Sequence, residues 1–107
     1  MNTDHCVVLI TTPDEGLAHR IADLLVTENL AACVQTAPID SIYRWSSEIH
    51  RHPEVLLLVK TRTAVLPELI AAVRELHVYD APEIVALPIV GGAADYLNWV
   101  RFRHFLL

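Results

Sequence analysis

Apolar positions along this chain follow two different periods. From His5 to Thr12 they run almost without a break through Cys6-Val7-Val8-Leu9-Ile10, which predicts a first strand. The spacing then becomes helical, with Leu17, Ile21, Leu24 and Leu25 on one face of a helix that ends near Asn29. Thr12 is the expected N-cap, with Pro13 in the first helical position and Glu15 completing a capping box. Leu30 to Ser47 reads as a long second strand interrupted at Ala37-Pro38. Glu48 to Thr61 returns as a third strand, with Ser46-Ser47 as the turn. Its outer part is polar (His50, Arg51, His52, Pro53) and its inner part is Val55-Leu56-Leu57-Leu58-Val59. Thr63 opens a second helix with Leu66, Leu69, Ile70, Val73 and Leu76 as its buried stripe, and Pro67 is tolerated in the first turn. Ile84 to Val90 is the fourth strand, Gly91-Gly92 breaks it, and Ala93 to Phe102 forms a third helix carrying Tyr96, Leu97 and Val100.

The order β-α-β-β-α-β with an added C-terminal helix predicts an α+β, ferredoxin-like sandwich: an antiparallel sheet with two helices on one face. A sheet whose other face met water would alternate apolar and polar residues along each strand. These strands are apolar at both parities, so their second face needs a cover. Association between subunits is the expected cover. The alternative is the third helix folding across that face, helped by Phe105-Leu106-Leu107.

Composition narrows the class. A chain of 107 residues is expected to form one domain, residues 1–107. Hydrophobic residues make up 53% of it, yet no apolar run reaches the length of a membrane span. Met1-Asn2-Thr3-Asp4-His5 has no basic start, so a cytoplasmic location is expected. The net charge of −5 and scattered Lys and Arg give no footprint for phosphate backbones, which argues against nucleic-acid partners. Cys6 and Cys33 lie in apolar runs without metal or redox spacing and read as reduced thiols.

Six blocks then stand out in order: Thr11-Thr12-Pro13-Asp14, Glu28-Asn29-Leu30-Ala31-Ala32-Cys33-Val34, Ile42-Tyr43-Arg44-Trp45, Leu58-Val59-Lys60-Thr61, His77-Val78-Tyr79-Asp80-Ala81-Pro82-Glu83-Ile84 and Asp95-Tyr96-Leu97-Asn98-Trp99. From about Val7 to Val100 the chain resembles the CutA divalent-cation tolerance family. The resemblance implies a cytosolic homotrimer, joined through sheets and long hairpins and linked to divalent metal ions, copper among them. It also implies His77 as a metal ligand. The family often has a second His just before it and a Cys late in the first strand, where this chain has Leu76 and Ile10. Tyr43, Trp45, Lys60, Tyr79, Glu83, Tyr96 and Trp99 correspond to residues that the family places near clefts between subunits. The same plan resembles the PII regulatory proteins, so a trimeric effector-binding module without a metal is the alternative function. Two departures are Val78, where Pro usually precedes the Tyr, and Ser47, where the turn usually has Gly.

Each candidate also has a structural explanation. His77 ends a helix, where the dipole alone favours an imidazolium. The Tyr and Trp residues suit interfaces, and Lys60 and Glu83 could pair with each other. His50 and His52 share a strand face with Glu48, which suits either a divalent chelate or a solvated arm. No Ser or Cys nucleophile stands beside a His and an acid, and no glycine-rich phosphate loop is present, so neither an enzyme nor an organic cofactor is expected. Cu(II) or another divalent cation is the expected ligand.

Overall fold

The structure, a computed structural model, describes residues 4–102. Its elements are β1 (His5–Thr12), α1 (Glu15–Thr27), β2 (Cys33–Trp45), β3 (Glu48–Arg62), a 3-10 turn (Thr63–Val65), α2 (Leu66–Leu76), β4 (Ile84–Pro88) and α3 (Ala94–Phe102). All four strands join one antiparallel sheet in the order β2-β3-β1-β4, so the first strand made is a central one. This is the expected ferredoxin-like order with its extra helix.

Strand alternation divides the sheet into two faces. Cys6, Val8, Ile10, Leu57 and Val59 point to one side, where they meet Leu17, Ile21 and Leu25 of α1 and Leu69 and Val73 of α2. These residues are fully or almost fully buried and make up the core. The other face carries Val7, Leu9, Leu56 and Leu58, all half-buried, with Val85 and Leu87 of β4 exposed at 48% and 46%. The helix α3 packs on β1 and β3 at one end of this second face. Its Val100 is buried, and the Leu97 carbonyl accepts a 2.9 Å hydrogen bond from His5 Nε2. The third helix therefore does serve as a partial cover, but it is too short to reach the outer β4 residues. The expected help from Phe105-Leu106-Leu107 lies outside the described residues.

Several local expectations shift by a residue or two, each for a visible reason. The N-cap of α1 is Asp14, not Thr12: the Asp14 backbone is extended and its Oδ1 accepts from Leu17 N at 2.8 Å. Thr12 is instead fully buried, its hydroxyl 3.2 Å from both the Asp14 and Val55 carbonyl oxygens. Pro38 does not interrupt β2, because β2 is an edge strand of this sheet and no neighbour needs its missing N–H. Asn29 takes a positive φ of 59° just after α1, and Leu30 N returns to Leu25 O at 2.8 Å, a left-handed helix stop. The turn between β2 and β3 is held by Ser46 and Ser47, both left-handed at φ 52° and 66°, the pattern of a two-residue hairpin turn.

Beyond Pro38↔Val55 the β2–β3 ladder leaves the body of the protein. It continues through Ile39↔Glu54 to Trp45↔Glu48 as a two-stranded arm of about 23 Å. The overall extents of 46 × 28 × 23 Å reflect this projection.

Candidate functional site: the cleft between arm and loop

The loop after α2 is held by one histidine. His77 is buried, and the helix ends there because its backbone turns extended while its N–H still reaches Val73 O. Its Nδ1 accepts from Tyr79 N at 3.1 Å, so the ring hydrogen must sit on Nε2, which donates to Thr11 O at 2.7 Å. The imidazole is thereby fixed as one neutral tautomer, tying the loop to the end of β1. The Tyr79 ring lies 4.8 Å from it, tilted by 41°.

Tyr79 is anchored at its other end as well. Its hydroxyl donates at 2.7 Å to Oε2 of Glu54, a carboxylate only 8% exposed at the junction of the polar and apolar halves of β3. Burial, then the Glu54 hydrogen bond and charge, and then Tyr43 and Asp14 push the Tyr79 phenol well above its ordinary range.

A cleft of about 610 Å³ opens in front of this pair. Its arm wall is Tyr43 and Trp45, and its loop wall is Val78, Tyr79, Asp80, Ala81 and Glu83, with Thr11 and Glu54 completing the lining. Tyr43 is held in turn by the arm histidines. Its ring stacks on His50 at 5.5 Å and meets His52 edge-on at 5.2 Å, while its hydroxyl lies 2.9 Å from His52 Nε2. His50 and His52 do share a strand face, as the i, i+2 spacing requires. Their rings are engaged with Tyr43.

Of the sequence candidates, Tyr43, Trp45, Tyr79 and Glu83 thus meet in one cleft, with His77 directly behind it. Lys60, Tyr96 and Trp99 do not: they belong to the opposite end, under and on α3. Lys60 Nζ donates to Gln35 Oε1, not to Glu83, because Lys60 lies beside Val7 and Cys33 while Glu83 precedes the first β4 residue. The Tyr96 and Trp99 rings pack against each other, tilted by 37° with centroids 5.7 Å apart. Burial, followed by the Cys33 thiol beside it, raises the Tyr96 phenol. Cys6 is buried and Cys33 half-buried, and both are free thiols; burial pushes the Cys6 thiol up, which suits an inert side chain.

Sequence reasoning overlooked Glu54 and Thr11. Glu54 had a readable signal, since it shares the parity of His50, His52 and Leu56 at the point where β3 turns apolar. Thr11 contributes through its carbonyl, which residue type does not reveal. Among the described residues, no group of three or more His, Cys, Asp or Glu converges as a ready-made metal site within one chain.

The fold and the cleft define a ferredoxin-like α+β protein with a projecting hairpin and an acidic, aromatic-walled cleft between that hairpin and the loop after α2. The profile of the CutA1 divalent ion tolerance protein family matches residues 6–103, and the chain belongs to that family. It is 54% identical over 96 residues to the divalent-cation tolerance protein CutA of Thermus thermophilus, covering 89% of this chain and 93% of the relative. The chloroplastic protein CutA of Arabidopsis thaliana is 42% identical over 96 residues, but the chain spans only 53% of that longer relative. The solved divalent cation tolerance protein (Cut A1) from Thermus thermophilus superposes with a TM-score of 0.88 at 53% identity, over 91% of this chain and 95% of that one.

Proposed function

We propose that this protein binds divalent cations in the cytoplasm as a homotrimer, and that its role is binding and tolerance rather than turnover. The observation that carries the cation reading is the cleft lining, which holds the Glu54, Asp80 and Glu83 carboxylates and no Lys or Arg. Membership of a divalent ion tolerance family supports it. His77 is the proposed imidazole ligand. Its Nδ1 must leave the Tyr79 N–H to take a metal, so binding is coupled to opening of the loop and is expected to be weak. With Leu76 and Ile10 in place of a further imidazole and a thiolate, the remaining donors are carboxylate oxygens, a neighbouring subunit and water. Such a set does not favour soft Cu(I) over Cu(II).

Assembly is supported by the arm and the outer sheet face. Ile42 and Ile49 are 63% and 57% exposed within one chain, apolar residues on the arm of the kind that mark an association surface. The other reading, an effector-binding trimer without a metal, draws on the aromatic walls of the same cleft.

Calorimetric titration with Cu(II) tests the metal reading. His77→Gln should weaken binding, whereas a His50→Ala/His52→Ala double change should leave it intact. The reverse result moves the site to the arm, and no effect from either change removes the metal assignment.

A further inference from the structure

The cleft joins carboxylates, which a metal site could use, to an aromatic wall that it does not need. Three of its side chains are aromatic (Tyr43, Trp45 and Tyr79), and three are carboxylates (Glu54, Asp80 and Glu83). Among the described residues, none of these carboxylates forms an ion pair with Lys, Arg or His. At about 610 Å³ the space has the size of small-molecule sites and is far larger than a dehydrated metal ion. Metal ions bind oxygen or nitrogen donors at about 2.0–2.6 Å, which ring faces and the side chains of Val78 and Ala81 cannot supply. An anion would meet repulsion, and a neutral apolar molecule would strip water from the exposed Asp80 and Glu83 carboxylates without replacing it. A cation with a carbon surface satisfies both sets at once, because ring faces attract positive charge and also cover apolar groups. The loop wall is already set for such a guest. Tyr79 is fixed by His77 through its backbone and by Glu54 through its hydroxyl, so little of it needs ordering on binding.

We propose that this cleft binds a small organic ammonium ion, its charge matched by Glu54, Asp80 and Glu83 and its carbon substituents covered by Tyr43, Trp45 and Tyr79. The proposal rests on the effector-binding reading and names the ligand class for it.

The fluorescence of Trp45 tests it directly, in the full chain with Trp99→Phe so that Trp45 is the single indole. Tetramethylammonium and butylammonium should each give a saturable change at fixed ionic strength, while the neutral tert-butanol should not. Asp80→Asn/Glu83→Gln, both exposed positions, should raise the dissociation constant at least fivefold while leaving the circular dichroism unchanged. Calorimetry should show Trp45→Ala weakening the same ions at least tenfold. Equal responses to tert-butanol and tetramethylammonium, or unchanged affinity in the double variant, would overturn the proposal. If ADP shifts the melting temperature and no ammonium ion does, the inference fails while the effector reading survives. If only Cu(II) perturbs Trp45, both fail and the metal reading stands.

Discussion

Along the β2–β3 ladder, the rungs from Cys33↔Lys60 to Pro38↔Val55 lie in the body of the sheet, where Val55, Leu57 and Val59 are buried under the helices. From Ile39↔Glu54 to Trp45↔Glu48 the same two strands continue with the same antiparallel pairing, but most of their side chains are exposed. Ile42, Trp45 and Ile49 in the outer half are as apolar as the inner residues and remain mostly exposed. Backbone pairing therefore propagates a strand well beyond the place where side chains can be buried by their own chain. The apolar residues Ile42 and Ile49 on that extension lie outside the internal core of the chain.

The sharpest way to break this comparison is a pair of truncations. Leu57→Ala should cost about 2–5 kcal/mol in denaturant unfolding, as expected for a fully buried leucine. Ile42→Ala, measured under dilute, dissociating conditions, should stay within about 0.5 kcal/mol. Equal losses would mean that the arm is packed within the chain after all. Next in size is the effect on assembly. Replacing Ile42 and Ile49 together with Ser should bring the light-scattering mass down from the proposed three times the 12.0 kDa chain mass to a smaller species, with the far-UV spectrum retained. A wild-type monomer at micromolar concentration would remove the association role.

Tyr79→Phe probes the junction of the two halves. Losing the hydroxyl bond to the Glu54 carboxylate should cost about 1–3 kcal/mol. The folded state holds this phenol above its ordinary value of 10.0, so its contribution is fully present below pH 10 and falls as pH rises past that value. Tyr96 and Cys6 shift in the same direction, and the wild type should lose stability on the alkaline side. Tyr79→Phe should show a shallower alkaline slope in melting temperature. The smallest effect is expected at the arm tip, where Ser47→Gly should stabilise by about 0.5–1 kcal/mol by relieving a left-handed φ, measured by thermal melting.

How much of this could be read from the residues alone varies with the kind of force involved. The first strand was legible to the residue, since His5–Thr12 is bounded by polar chemistry on one side and Pro13 on the other. The start of α1 was misplaced because Thr12 and Asp14 are both good caps, and only the tertiary contact of Thr12 with Val55 decides between them. The fourth strand ends at Pro88, short of Val90, where the ladder with β1 runs out at Cys6. For the cleft, the family resemblance pointed to Tyr43, Trp45, Tyr79 and Glu83. It also pointed to Lys60, Tyr96 and Trp99, which the sheet carries to the other end. Spacing along a strand gives the face a residue occupies, but the twist and length of the arm decide which distant loop it meets. That is why Glu54, the residue tying β3 to the loop, went unnoticed.

The central place of β1 also sets an order of events during synthesis. β2 and β3 are joined by two residues and can pair as soon as both have left the ribosome. β1 needs β3 on one side and β4 on the other, through pairs such as Cys6↔Thr61 and Cys6↔Pro88. At ordinary elongation rates the roughly fifty residues between β1 and its β3 partners take about 3–10 s to emerge. For that interval Val7 to Ile10 form a nascent apolar segment with no mate. A pause between Arg62 and Ile84 would complete one side of it and leave the β4 side open, which makes that stretch of the message the place where slow codons should most increase aggregation of the newborn chain.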